Sequence, residues 1–305
     1  MTTLQFLVIF LIILFIYLHL LNEFKTSNKL SIYEIDYISN GHLQEICELK
    51  QPFIFNSNEE IKTLCNEVLN DLENNEYSLK LFNAVDESDD EYVMLESKPA
   101  MKMLQSSGSY YSQYNWNIVE SKELINSINK YWRPHFTLNT YVDIRTGCKN
   151  VTTKPLHHKH NRMFLCVMKG SLHVKMTPSE YEKYLQISPN YENMEYNSPL
   201  DFWAKSNMDE NVKFVEFTIP SGNVLFVPPY WTISTKYDTN TVVYEINYMS
   251  ILNSIIHIPD YTLHFIQKNN NEILLKDFNS EESKDEDTKE EVIVDVNVSS
   301  DSSTE

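Results

Sequence analysis

Leu4 to Leu21 form eighteen consecutive positions with no charged side chain, interrupted only by Gln5 and His19. A helix of that length covers about 27 Å, close to the hydrocarbon thickness of a bilayer. The run is apolar on every face, which argues against a core helix that would show one apolar stripe. A cleaved signal peptide would want a basic start, a shorter apolar stretch and small residues at the cut. Met1-Thr2-Thr3 offers no basic side chain and Asn22-Glu23-Phe24-Lys25 no small-residue pair. The pattern therefore predicts an uncleaved single span over 1–25, with Lys25 and Lys29 favouring a cytosolic domain.

Beyond residue 25 the periodicity alternates between two kinds. Residues 22–45 read as a stalk, and Gln51–Phe55 as a short strand. Asn58-Glu59-Glu60 opens a helix whose Ile61, Leu64, Cys65, Val68, Leu69 and Leu72 recur at helical spacing. Strand-like runs at Leu79–Val85 and Tyr92–Leu95 flank an acidic turn, and helical patterns follow at 98–106 and 121–132. From His135 the chain is a series of strands: Phe136–Ile144, Phe164–Met168, Ser171–Met176, Val212–Ile219, Asn223–Val227, Trp231–Lys236 and Thr241–Met249. A short helix is expected after Pro178, a loop at 188–211 and a helix over 259–271. These patterns give an anchor at 1–25, an α/β flank at 26–134, a β core with a closing helix at 135–279 and a disordered acidic tail at 280–305. Many short strands between turns indicate a mainly β sandwich or barrel with flanking helices.

Charge narrows the function. The net charge of −18 argues against nucleic-acid binding through phosphates. The tail and a cluster at Asp86, Glu87, Asp89, Asp90 and Glu91 carry much of it. Five scattered glycines leave no phosphate-cradling loop. Four cysteines without C-x-x-C spacing exclude a zinc ribbon and read as buried free thiols. Tyr110, Tyr111, Tyr114 and Trp116 form an aromatic cluster that suits packing.

The densest chemistry lies in Pro155-Leu156-His157-His158-Lys159-His160-Asn161. Neutral imidazoles ligate transition metals, so His157, His158 and His160 are the metal ligands if any exist. On a strand His158 and His160 would share a face and His157 the other.

This segment, with Phe164–Gly170 and the run Gly222-Asn223-Val224-Leu225-Phe226-Val227-Pro228-Pro229-Tyr230-Trp231, resembles the JmjC or cupin-type 2-oxoglutarate oxygenases. The arrangement also resembles uncharacterised membrane-anchored cupin-like proteins of large DNA viruses. The resemblance implies a double-stranded β-helix (cupin or jelly-roll) barrel, with Fe(II) and 2-oxoglutarate as cofactors if the chemistry is kept. It aligns His157 with the first iron ligand, Lys159 with the carboxylate, and Thr232 or Ile233 with the distal histidine. The position of the basic residue that pairs with 2-oxoglutarate is Leu172. Losing these positions together implies a non-catalytic module without cofactor, with an oxygenase of atypical ligand set as the alternative. Restoring the triad through Lys159→Asp and Ile233→His is then expected to recover metal binding. His157, Lys159, Asn161, Arg162, Tyr230 and Ile233 form the degenerate site, and its cations suggest an anion. Besides the membrane, a protein or a small anion is the expected partner.

Overall fold

The computed structural model describes residues 3–74, 77–85, 92–106, 108–115, 122–191, 194–204 and 208–270. The acidic cluster at 86–91, Trp116 and the tail at 280–305 lie outside them. The chain is mainly β, with two sheets, several helices and one N-terminal apolar helix, α1 (Thr3–Glu23). Among the described residues α1 alone is long and apolar enough to cross a membrane, and none of that stretch is buried in the protein.

The stretch expected to be a stalk is instead structured. It contributes β1 (Tyr33–Ile35) and α2 (Asn40–Cys47), whose first turn is capped by the Ser39 hydroxyl accepting from His42 N. Short sequences of mixed polarity hide such elements, because β1 draws its order from parallel pairing with β2 (Phe53–Asn56). The amphipathic pattern after Asn58 forms α3 (Glu59–Asn74), with Asn58 Oδ1 accepting from Ile61 N at 2.9 Å and Ile61, Cys65 and Leu72 buried. Then come β3 (Ser78–Asn83), β4 (Tyr92–Glu96), α4 (Ser97–Gln105), β5 (Tyr110–Ser112) and α5 (Lys122–Trp132).

The strand-rich half supplies β6 (Thr137–Gly147), β7 (Leu156–His157), β8 (Arg162–Lys169) and β9 (Ser171–Thr177). A 3₁₀ turn at Ser179–Tyr184 precedes β10 (Ser188–Asn190) and β11 (Glu195–Asn197), two short strands inside the expected loop. The series ends with β12 (Val215–Pro220), β13 (Asn223–Val227), β14 (Thr232–Tyr237), β15 (Val242–Ser250) and α6 (Ile251–Ile256). One sheet runs β1-β2-β13-β8-β15-β6-β5-β3-β4 and the other β10-β11-β7-β14-β9-β12. Neither sheet closes into a barrel; the two face one another across a shared core. A second compact unit holds a helix at 258–270, where His264 Nδ1 meets the Tyr191 carbonyl at 2.5 Å.

One face of the nine-stranded sheet is covered by helices: Trp132 of α5 stacks near Phe164 and Cys65 of α3 lies 4.0 Å from Cys166. All four cysteines are free and buried. The opposite face meets the six-stranded sheet. There Gly147 admits the Tyr237 ring so closely that a Cβ would lie 2.3 Å from it. Gly170 and Gly222 turn hairpins with φ of +75° and +85°, which a glycine adopts without steric cost.

Candidate functional site

Strand register decides where the motif residues point. Thr232 pairs with His157, and Ile233 pairs with Leu156 and Met176. Directly opposed residues share a sheet face and neighbours along a strand alternate. His157 therefore shares its face with Thr232, whose Oγ1 lies 3.2 Å from His157 Nδ1. Ile233 lies on the other face, in the apolar core. Of the two positions aligned with the distal ligand, Thr232 shares the His157 face and Ile233 does not, so Lys159→Asp with Ile233→His cannot rebuild a triad.

His157 is buried, and its pKa is lowered to about 4 by burial, with Lys159 and His257 adding to the effect. Lys159 Nζ sits 3.3 Å from the Tyr196 ring centroid, a cation–π contact, and its carbonyl accepts from Asn253 Nδ2. Arg162, almost wholly buried, reaches Glu48 Oε1 at 2.5 Å. Lys159 and Arg162 are thus each engaged by a side chain of the same chain.

Most of the remaining motif residues meet the end of α1. Asn161 Nδ2 donates to Glu23 Oε2 at 3.0 Å. Tyr230, in the left-handed region with φ of 65°, stacks on Phe24 at 6.1 Å. Trp231 Nε1 donates to the Ser27 carbonyl at 3.0 Å. Lys50 completes the clamp: its Nζ reaches the Asn22 and Glu23 carbonyls, and its own carbonyl accepts from Ser27 N at 3.0 Å. Burial lowers the Lys50 pKa, although Glu23 opposes that shift.

Compared with protein-family models and with curated proteins, the chain matches none.

A second constellation, between the sheets, was not anticipated from sequence. Asp143 and Glu245 are cross-strand partners on β6 and β15. Arg145 Nε lies 2.8 Å from Glu245 Oε2 and 3.5 Å from Asp143 Oδ2. The Tyr114 and Asn115 amides donate to the two Asp143 oxygens at 2.8 and 2.7 Å, and Asn247 Nδ2 donates to Glu245 Oε1 at 2.6 Å. Burial raises the Asp143 pKa to about 6, against the pull of Arg145. Glu195 is likewise raised by burial. Burial opposes the Arg145 cation, yet Glu245 and Asp143 outweigh it and keep it charged. Tyr237 is pushed up by burial, with Arg145 pulling the other way. A sequence signal existed: polar residues at every second position, Asp143/Arg145 and Glu245/Asn247, inside otherwise apolar strands.

His158 and His160 do share a side, their rings 5.5 Å apart, with His160 against Tyr141. Burial lowers both imidazoles, His160 to about 4, and Arg145 adds to each shift. A neighbouring guanidinium repels a metal cation as it repels a proton. Among the described residues no three His, Cys, Asp or Glu side chains are placed to hold a metal ion. The residues present do not fit an Fe(II) centre.

Proposed function

We propose that this protein is a membrane-anchored, non-catalytic module of cupin-like descent that presents a folded β domain to a protein partner at the bilayer. One observation carries the reading: the segment most like an oxygenase motif fastens the anchor. Asn161, Tyr230 and Trp231 hold Glu23, Phe24 and Ser27. A cut near residue 25, as a signal sequence would suffer, would sever contacts that the domain makes with its own chain, so the docking supports an uncleaved helix. The facing sheets support the cupin-like ancestry, and the opposed directions of His157 and Ile233 support loss of chemistry.

The test uses the full chain purified from membranes into nanodiscs. Intact mass should include the α1 residues. Neither the wild type nor the Lys159→Asp/Ile233→His variant should take up stoichiometric Fe(II) or Co(II), or consume 2-oxoglutarate. A mature chain lacking α1 would overturn the anchor. One metal per wild-type chain with turnover would establish the oxygenase instead.

A further inference from the structure

Beside the foot of α1 the domain exposes large apolar side chains that its own fold leaves uncovered. Phe136 is 80% exposed, Leu138 57%, Ile251 46% and Ile255 47%. They are brought together by one junction. The Phe136 carbonyl accepts from Ile251 N at 3.1 Å, and Ser250, which caps α6 through Asn253 N, pairs with Thr137 at the start of β6. Ile251 and Ile255 are one helical turn apart on α6, so they share a face. Phe136 has φ of 58°, a conformation unusual for an aromatic residue and here holding its ring outward.

The depth of this patch is fixed by α1. Glu23, the last residue of α1, lines one cleft of about 640 Å³ with Phe136, Arg162, Ser250 and Ile251. Leu21, the end of the apolar run, is two residues, or about 3 Å of helix rise, from Glu23. Phe136 and Ile251 therefore stand at the level where the hydrocarbon layer gives way to headgroups, the depth at which amphipathic surfaces and aromatic rings settle.

We propose that the Phe136, Leu138, Ile251 and Ile255 surface is a membrane-contact collar that seats in the interfacial layer around α1 and fixes the domain's tilt against the bilayer. The inference rests on α1 being a retained anchor. Lipid is favoured over a protein partner because the patch is continuous with a helix that is itself apolar and exposed along its length. The rim carries Glu23, Glu45 and Glu48. With the chain's net charge of −18, this favours zwitterionic over anionic lipid.

The test places single cysteines at Phe136→Cys, Ile255→Cys and Thr239→Cys in the full chain, in phosphatidylcholine vesicles. The four native cysteines are buried and stay unlabelled. Thr239 is exposed at the far end of β15, whose nine residues span about 30 Å. Each site carries an environment-sensitive fluorophore, quenched by nitroxide on the lipid acyl chain near the headgroup. The 136 and 255 labels should be quenched at least threefold more than the 239 label. Equal, weak quenching at all three sites, with the protein resisting alkaline extraction, would overturn the collar and leave the anchor standing. Labels shielded from lipid but crosslinking to a second copy would overturn it in favour of a protein contact. Loss of the protein on alkaline extraction would overturn both readings.

Discussion

Arg145 is the residue whose charge most affects the interior. It stands beside Asp143 and Glu245, both buried. Removing one partner of a buried ionic group leaves uncompensated charge, which typically costs about 3–5 kcal/mol. Arg145→Leu should lower stability by that order, read as a shift of the urea midpoint at pH 7. A variant as stable as wild type would mean that the carboxyls are neutral and the network contributes little. At the same scale, His157 is buried with its pKa lowered to about 4 and is engaged within the domain. Its ring nitrogen contacts Thr232 Oγ1, a hydroxyl on the strand expected to supply a histidine.

Among the elements, the end of α1 and the residues just after it carry the most consequence. Residues 22–27 make backbone and side-chain contacts with Lys50, Asn161, Tyr230 and Trp231. Each net hydrogen bond contributes about 1 kcal/mol. Chains beginning at residue 22 and at residue 28 should therefore differ. The first keeps the clamp and should melt as the domain of the full chain does. The second loses several hydrogen bonds and should be destabilised by about 2–4 kcal/mol, read by denaturant unfolding. Indistinguishable midpoints would show that 22–27 merely rest on the domain.

Over the whole molecule, buried titratable groups oppose one another in their response to pH. His157 has its pKa lowered from 6.5 to about 4, so the unfolded chain binds more protons between those values. Stability from the neutral imidazole is present above pH 6.5 and is lost as pH falls through about 4. Asp143 has the reverse sign: its pKa is raised from 3.8 to about 6, so its contribution is fullest below 3.8 and is lost as pH rises through about 6. Glu195 follows Asp143, while His158 and His160 follow His157. Three imidazoles outweigh two carboxyls, and stability should fall on acidification from pH 6.5 to 4. His157→Gln keeps a neutral partner for Thr232 and should remove about 3 kcal/mol of that fall, read from urea midpoints at pH 7, 5.5 and 4.5. An unchanged acid limb in the variant would refute the assignment.

Periodicity alone determined α1, the face of α3 and the seven longer strands between β6 and β15, leaving out the short pieces β7, β10 and β11. α1 is apolar on every face, α3 carries one apolar face and the strands are short apolar runs between turns, so each signal is written locally. It did not determine β1, β10 and β11, three-residue strands whose order comes from neighbours distant in the chain. The candidate residues His157, Lys159, Asn161, Arg162, Tyr230 and Ile233 were legible as a cluster. Their directions were not, because a strand's facing depends on its pairing register, and a one-residue difference reverses every side chain. Only the tertiary structure set His157 against Ile233, gathered Asp143, Arg145 and Glu245 between the sheets, and brought Asn161, Tyr230 and Trp231 onto the end of α1 across more than a hundred residues of chain. Long-range pairing places such groups, and no local pattern encodes it.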